Sequence, residues 1–103
     1  MDPAEQLARL YAAGFEIQTF ERYPRTLGVV RYGVIALVEP TPTGVRLVGV
    51  PGWRMGEIMG VLVEEDGRQV FRSKAEVVEA TAERLEALGR FRRELEEALS
   101  ARA

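Results

Sequence analysis

Apolar positions change their period twice along this chain. They recur with helical spacing at the start, alternate from Phe15 to Phe71, and return to helical spacing after Ser73. The first stretch carries both end signals of a helix. Asp2 is a good N-cap, Pro3 sits at the first helical position, and Glu5 completes a capping-box-like pattern. Leu7, Leu10 and Tyr11 share a face and Gly14 supplies a left-handed stop, so a helix is predicted over residues 3–13. Phe15, Ile17 and Thr19 then alternate with Glu16 and Gln18 as in a half-buried strand that Pro24 ends. Residues 27–38 are rich in β-branched side chains but would reach ~40 Å as one strand. A bend or bulge at Gly33, or a split into two strands, is expected. Residues 40–44 read as a plain loop because of their two prolines, and residues 45–50 as the returning strand. Asp66-Gly67 marks a two-residue hairpin between strands 58–65 and 68–72, with Glu65 opposite Arg68, Val63 opposite Val70 and Leu62 opposite Phe71.

Ser73-Lys74-Ala75-Glu76 has the form of a capping box, and the helix it would open runs over residues 74–101. Val78, Leu85, Leu88, Leu95 and Leu99 lie on its stripe, and Glu86/Arg90, Arg90/Glu94 and Arg93/Glu97 are i,i+4 pairs beside it. Gly89 is its weak point. Such a helix would be ~42 Å long, beyond a body roughly 35 Å across, leaving Leu95 and Leu99 without partners in the monomer. Thr81, Arg92 and Arg102 spoil a heptad reading, so packing on a sister domain is favoured over a zipper. The competing arrangement is a break at Gly89 that folds residues 91–99 back onto the core. The predicted fold is α+β: one domain over residues 1–103, with an N-terminal helix, a four- to five-stranded antiparallel β-meander and a long C-terminal helix. In element order alone it resembles the type III secretion chaperones, with no shared motif.

The central strands are apolar on both faces. Val45 and Leu47 oppose Val48 and Val50, while Val34, Ala36 and Val38 oppose Ile35 and Leu37. An antiparallel sheet with a wet face would alternate. Either two helices cover both faces, or both lie on one side and the other face meets a second subunit or a partner.

Composition narrows the chemistry. The chain of 103 residues has no Cys and no His, which removes disulfides, thiolate and imidazole metal ligands, and the commonest general base. The net charge is -2, with neither half basic, so no nucleic-acid footprint is expected. No apolar run could span a bilayer and the opening residues do not form a signal peptide, so no membrane partner and a cytoplasmic location are expected. All basic residues but Lys74 are Arg, which fits a GC-rich genome, and the missing Asn, His and Cys fit a thermophilic source.

No catalytic, metal or cofactor-binding residue is assigned. Ser73, beside the sole lysine, is better explained as a cap than as a nucleophile. Glu64, Glu65 and Asp66 form a solvated hairpin tip. Phe20 to Arg25 with Arg31-Tyr32 interleaves Arg and aromatics, the pattern of a single-strand reader or of a sheet edge guarded against pairing. Trp53-Arg54-Met55, between Gly52 and Gly56, is either an exposed pair able to stack on a planar anion, or a turn whose Trp53 and Met55 plug the core. The expectation is a non-enzymatic interaction module, a homodimer that binds a protein or peptide partner. Trp53, Arg54, Met55, Leu95 and Leu99 are its candidate contact residues. A small-molecule domain or minor enzyme using Trp53/Arg54 is the alternative.

Overall fold

The computed structural model describes residues 2–100 and has the α+β architecture, with more strands than the pattern predicts. Helix α1 (Pro3–Ala12) is capped by the Asp2 carboxylate, which accepts from the Ala4 amide, and it ends at Gly14 with φ of 103°. Seven strands follow: β1 (Glu16–Gln18), β2 (Leu27–Arg31), β3 (Val34–Thr41), β4 (Gly44–Met55), β5 (Ile58–Glu65), β6 (Arg68–Arg72) and β7 (Val77–Glu79). They form one antiparallel meander in sequence order, curled around the last helix, α2 (Ala82–Ser100).

The strand pattern departs from expectation in three places, two of which add a strand. Residues 27–38 do split, and Tyr32 and Gly33 both take positive φ in a two-residue turn between β2 and β3. The expected loop over 40–44 shrinks to Pro42-Thr43, with Pro40 inside β3. Pro40 is tolerated because β2 pairs only as far as Val38, so no ladder donor is lost. The third correction is larger. Ser73 does not open a helix: its hydroxyl accepts from the Ala75 and Glu76 amides (3.3 and 3.1 Å) inside a turn, and β7 follows as an edge strand on β6. The pairing of β7 with β6 overrides the capping box, and Thr81 is the side chain that caps α2, accepting from the Arg84 amide at 3.3 Å.

The Asp66-Gly67 hairpin has the expected register throughout, Glu65 to Arg68, Val63 to Val70 and Leu62 to Phe71. Of the three i,i+4 pairs on α2, Arg90–Glu94 forms at 3.0 Å and the other two do not. At 19 residues α2 is about 28 Å long, against a longest molecular dimension of 45 Å, and it runs unbroken through Gly89. It neither overhangs the body nor folds back. The expected end at Ala101 lies outside the described residues.

Both helices lie on one face of the sheet. Leu10 of α1 and Leu88, Phe91 and Leu95 of α2 pack with Val29, Val34, Ala36, Val38 and Phe71, and Phe15 meets Phe91 edge-on at 5.4 Å. The opposite face of β2 and β3 carries Val30, Ile35 and Leu37, roofed by Phe20 and Tyr23 from the β1–β2 connection. Gly28 makes that roof fit, since a Cβ there would lie 2.2 Å from the Phe20 ring. The second apolar face of these strands is therefore largely covered by the chain itself.

Candidate functional site

The long strand β4 is paired unevenly. It lies beside β3 from Gly44 to Trp53, but β5 joins it only at Trp53, Arg54 and Met55. Residues 44–52 thus have a strand on one side only. Thr41 and Gly44 close a two-residue turn as a hydrogen-bonded pair, so by alternation Val45 and Leu47 turn their amides away from β3. The Val45 amide confirms this, donating to Gln6 Oε1 at 2.8 Å. Gln6 is the one buried polar side chain among the described residues, and its Nε2 donates to the Leu99 carbonyl (3.2 Å), tying α1, the β4 edge and the end of α2 together. No hydrogen bond within the chain is taken up by the outward groups of Leu47.

Beyond Val48 the edge bulges. Val48 faces Leu37 and Gly52 faces Ile35, so residues 49–51 stand against Ala36 alone, with Gly49 at φ of 70°. The bulge swings Val50 out over α2. Val50 is 58% exposed and Leu47 37%, both exposed large apolar side chains. Together with Pro51 they form one wall of a groove of about 380 Å³, with Gly89 opposite and Leu95 and Leu99 at the base. Arg92, Arg93 and Glu96 also line it, exposed and in no ion pair among the described residues.

The two leucines marked from sequence therefore reach the groove, in a different role from the one expected. Leu95 is 2% exposed and part of the core, and Leu99 packs half-buried against it, so neither lacks partners in the monomer. The reason is the later start of α2. Trp53, Arg54 and Met55 lie in β4, not in a turn. Adjacent strand residues face opposite ways, and the pair separates accordingly. Trp53 stacks on Phe71 (5.6 Å) with Arg84 over its ring, on the helix side. Arg54 lies over Phe20 on the other side, with its Nε donating to the Gly56 carbonyl at 3.0 Å. Met55 is buried in the core. Trp53 and Arg54 therefore form no convergent surface.

The densest polar cluster is a latch. The Tyr32 hydroxyl donates to Glu94 (2.8 Å), Arg31 and Arg90 each pair with Glu94 at 3.0 Å, and both guanidiniums lie 4.8 Å from the Tyr32 ring. The Tyr32 hydrogen bond, helped by Arg90 and Arg31, holds the Glu94 carboxyl below its ordinary value. Arg31 also donates to the Ala13 carbonyl at 2.6 Å, so the cluster joins α1, the β2–β3 turn and α2. Glu94 is thus engaged by Tyr32, Arg31 and Arg90 together. At the hairpin tip, Glu65 pairs with Arg72, which lowers its carboxyl pKa, and no group of metal-ligating side chains gathers among the described residues.

Comparison with known proteins finds no matching family model, no similar curated protein and no similar solved structure. The likeness to type III secretion chaperones stays one of element order. Of the groove residues, the sequence pattern singled out only Leu95 and Leu99 as contacts. One signal for the others existed: a helix-weakening glycine on the polar side of an otherwise well-formed helix.

Proposed function

We propose that this protein is a non-enzymatic interaction module that forms a homodimer and binds a protein or peptide partner. The observation that carries the dimer is the groove beside the open edge of β4. Its apolar wall is exposed at Leu47 and Val50, and it lies along backbone groups with no strand across from them. A second copy fits its charges. In an isologous contact each patch meets itself, so Arg92 and Arg93 of one chain would face Glu96 of the other, and all three are unpaired in the monomer. Gly89 lets the backbones approach: it is the one helical position lining this groove without a Cβ, and nothing but the Arg93 side chain, at 3.6 Å, would touch one.

A non-enzymatic reading follows from the absence of His and Cys and from the engagement of Glu94 by Tyr32, Arg31 and Arg90. The interaction reading is preferred over a small-molecule site at Trp53/Arg54 because those two side chains lie on opposite faces of the sheet. We take the setting of the module to be cytoplasmic; no helix is long and apolar enough to cross a membrane.

Light scattering at micromolar protein tests the dimer. The expected mass is twice 11.5 kDa, falling to 11.5 kDa in Val50→Glu with an unchanged circular dichroism spectrum. A wild-type mass of 11.5 kDa at that concentration refutes the dimer.

A further inference from the structure

A second concavity lies away from the β4–α2 groove and shares no residue with it. It is a cleft of about 630 Å³ between the β1–β2 connection, strand β5 and the turn after β6. Met59 and Val61, on one face of β5, supply its apolar lining, with Val61 38% exposed, and Ile58 and Tyr23 border it. The Tyr23 hydroxyl is fixed there by the Met59 amide, 3.4 Å away. The remaining wall is cationic. Arg22, Arg72 and Lys74 all line the cleft, and no carboxylate does.

The charges there are available to different degrees. Arg72 is held by Glu65. Arg22 and Lys74 make no ion pair among the described residues, and both are exposed. Two free cations beside an apolar lining, in a chain of net charge -2, form a local field opposite in sign to the whole molecule. An apolar peptide side chain laid on Val61 and Met59 would bury area that water now covers. A carboxylate beside it would meet Arg22 and Lys74 with charge-assisted hydrogen bonds. The cleft is wide and open to solvent along the sheet, a shape suited to a peptide segment and not to an enclosed small ligand.

From this combination we propose that the cleft is the partner site: it takes an acidic peptide segment in which carboxylates neighbour aliphatic or aromatic side chains. This rests on the reading of the chain as an interaction module and supplies the chemistry of its partner. Tyr23 and Arg22 belong to the stretch whose Arg-aromatic pattern stands out in the sequence. The fold turns Tyr23 onto apolar side chains and brings in Lys74 from the far side, which favours an amphipathic acidic ligand over a stack of bases.

The test is an amide chemical-shift titration of the full chain with two blocked peptides, one of alternating Leu and Glu and one of alternating Leu and Lys. The Leu/Glu peptide is expected to shift Arg22, Tyr23, Met59, Val61 and Lys74 in a salt-weakened manner, and the Leu/Lys peptide is expected to leave them in place. Arg22→Glu combined with Lys74→Glu should abolish the shifts while the remaining spectrum stays native; Val61→Ser should weaken them at least several-fold. The proposal is overturned if the Leu/Glu peptide shifts nothing at millimolar concentration, if both peptides act alike, or if the shifts centre on Val50 and Gly89. The mass from light scattering is read on the same samples, so a failed cleft with an intact dimer, or the reverse, is told apart.

Discussion

Gly89 offers a stability prediction that separates the monomer's needs from the dimer's. It lies in the eighth position of the 19-residue α2, with helical backbone geometry. Glycine in a helix interior costs about 0.5–1 kcal/mol relative to alanine, because its unfolded backbone has more freedom to lose. An alanine methyl would meet only Arg93 Nη1, at 3.6 Å, an ordinary contact with the end of a flexible side chain. Gly89→Ala should therefore gain close to the full propensity difference, about 0.5–1 kcal/mol, equivalent to roughly 2–8 °C in midpoint for a domain of this size. Dimerisation adds its own concentration-dependent stability, so the measurement belongs in the Val50→Glu background. Urea denaturation followed by circular dichroism should show a higher midpoint at unchanged m-value. In the otherwise wild-type chain the same methyl intrudes on the groove, and the dimer dissociation constant should rise. A midpoint that is unchanged or lower in the Val50→Glu background would refute the reasoning, because it would mean that the position is closely packed in the monomer.

Three further outcomes follow from single residues. Gln6→Leu removes the acceptor of the Val45 amide and the donor to the Leu99 carbonyl, and should lower stability by about 1–3 kcal/mol in urea denaturation; a loss near zero would mean that water replaces both bonds. Thr81→Ala should cost about 0.5–2 kcal/mol as the loss of the α2 cap, and Ser73→Ala should cost less because it serves only a turn; the reverse order would restore Ser73 as the start of the helix. Glu94 has a pKa depressed below 4.5 in the folded chain, chiefly through Tyr32 and then through Arg90 and Arg31. A depressed carboxylate contributes stability that is present above its unfolded pKa and is lost as pH falls through the folded one. Stability should thus decline on acidification from about pH 4.5 downward, with a shallower slope in Glu94→Gln; equal slopes would show that the latch does not link to folding.

What the sequence determined by itself is what local chemistry specifies. The cap at Asp2, the stop at Gly14 and the Asp66-Gly67 turn with its full register depend on residues adjacent in the chain, whose φ preferences and short-range hydrogen bonds leave few choices. That residues 27–38 must bend, bulge or split was legible as a length limit with a glycine inside it, but the choice of two strands joined by a turn at Tyr32-Gly33 was not. Ser73 shows where local chemistry stops being decisive. Its hydroxyl makes the amide contacts of a helix cap, but Val77 and Val78 gain more by adding a strand to β6 than by continuing a helical turn, and that choice belongs to the sheet. Leu95 was marked from its stripe, yet whether it faces a partner or the core depended on where α2 begins, which β7 decides. Trp53 and Arg54 are neighbours in sequence and strangers in space, since a strand sends adjacent side chains to opposite faces. The groove and the cleft belong wholly to the tertiary structure. Each gathers side chains from segments more than thirty residues apart, Val50 with Gly89 and Arg22 with Lys74, and no periodicity or spacing along the chain encodes such a meeting.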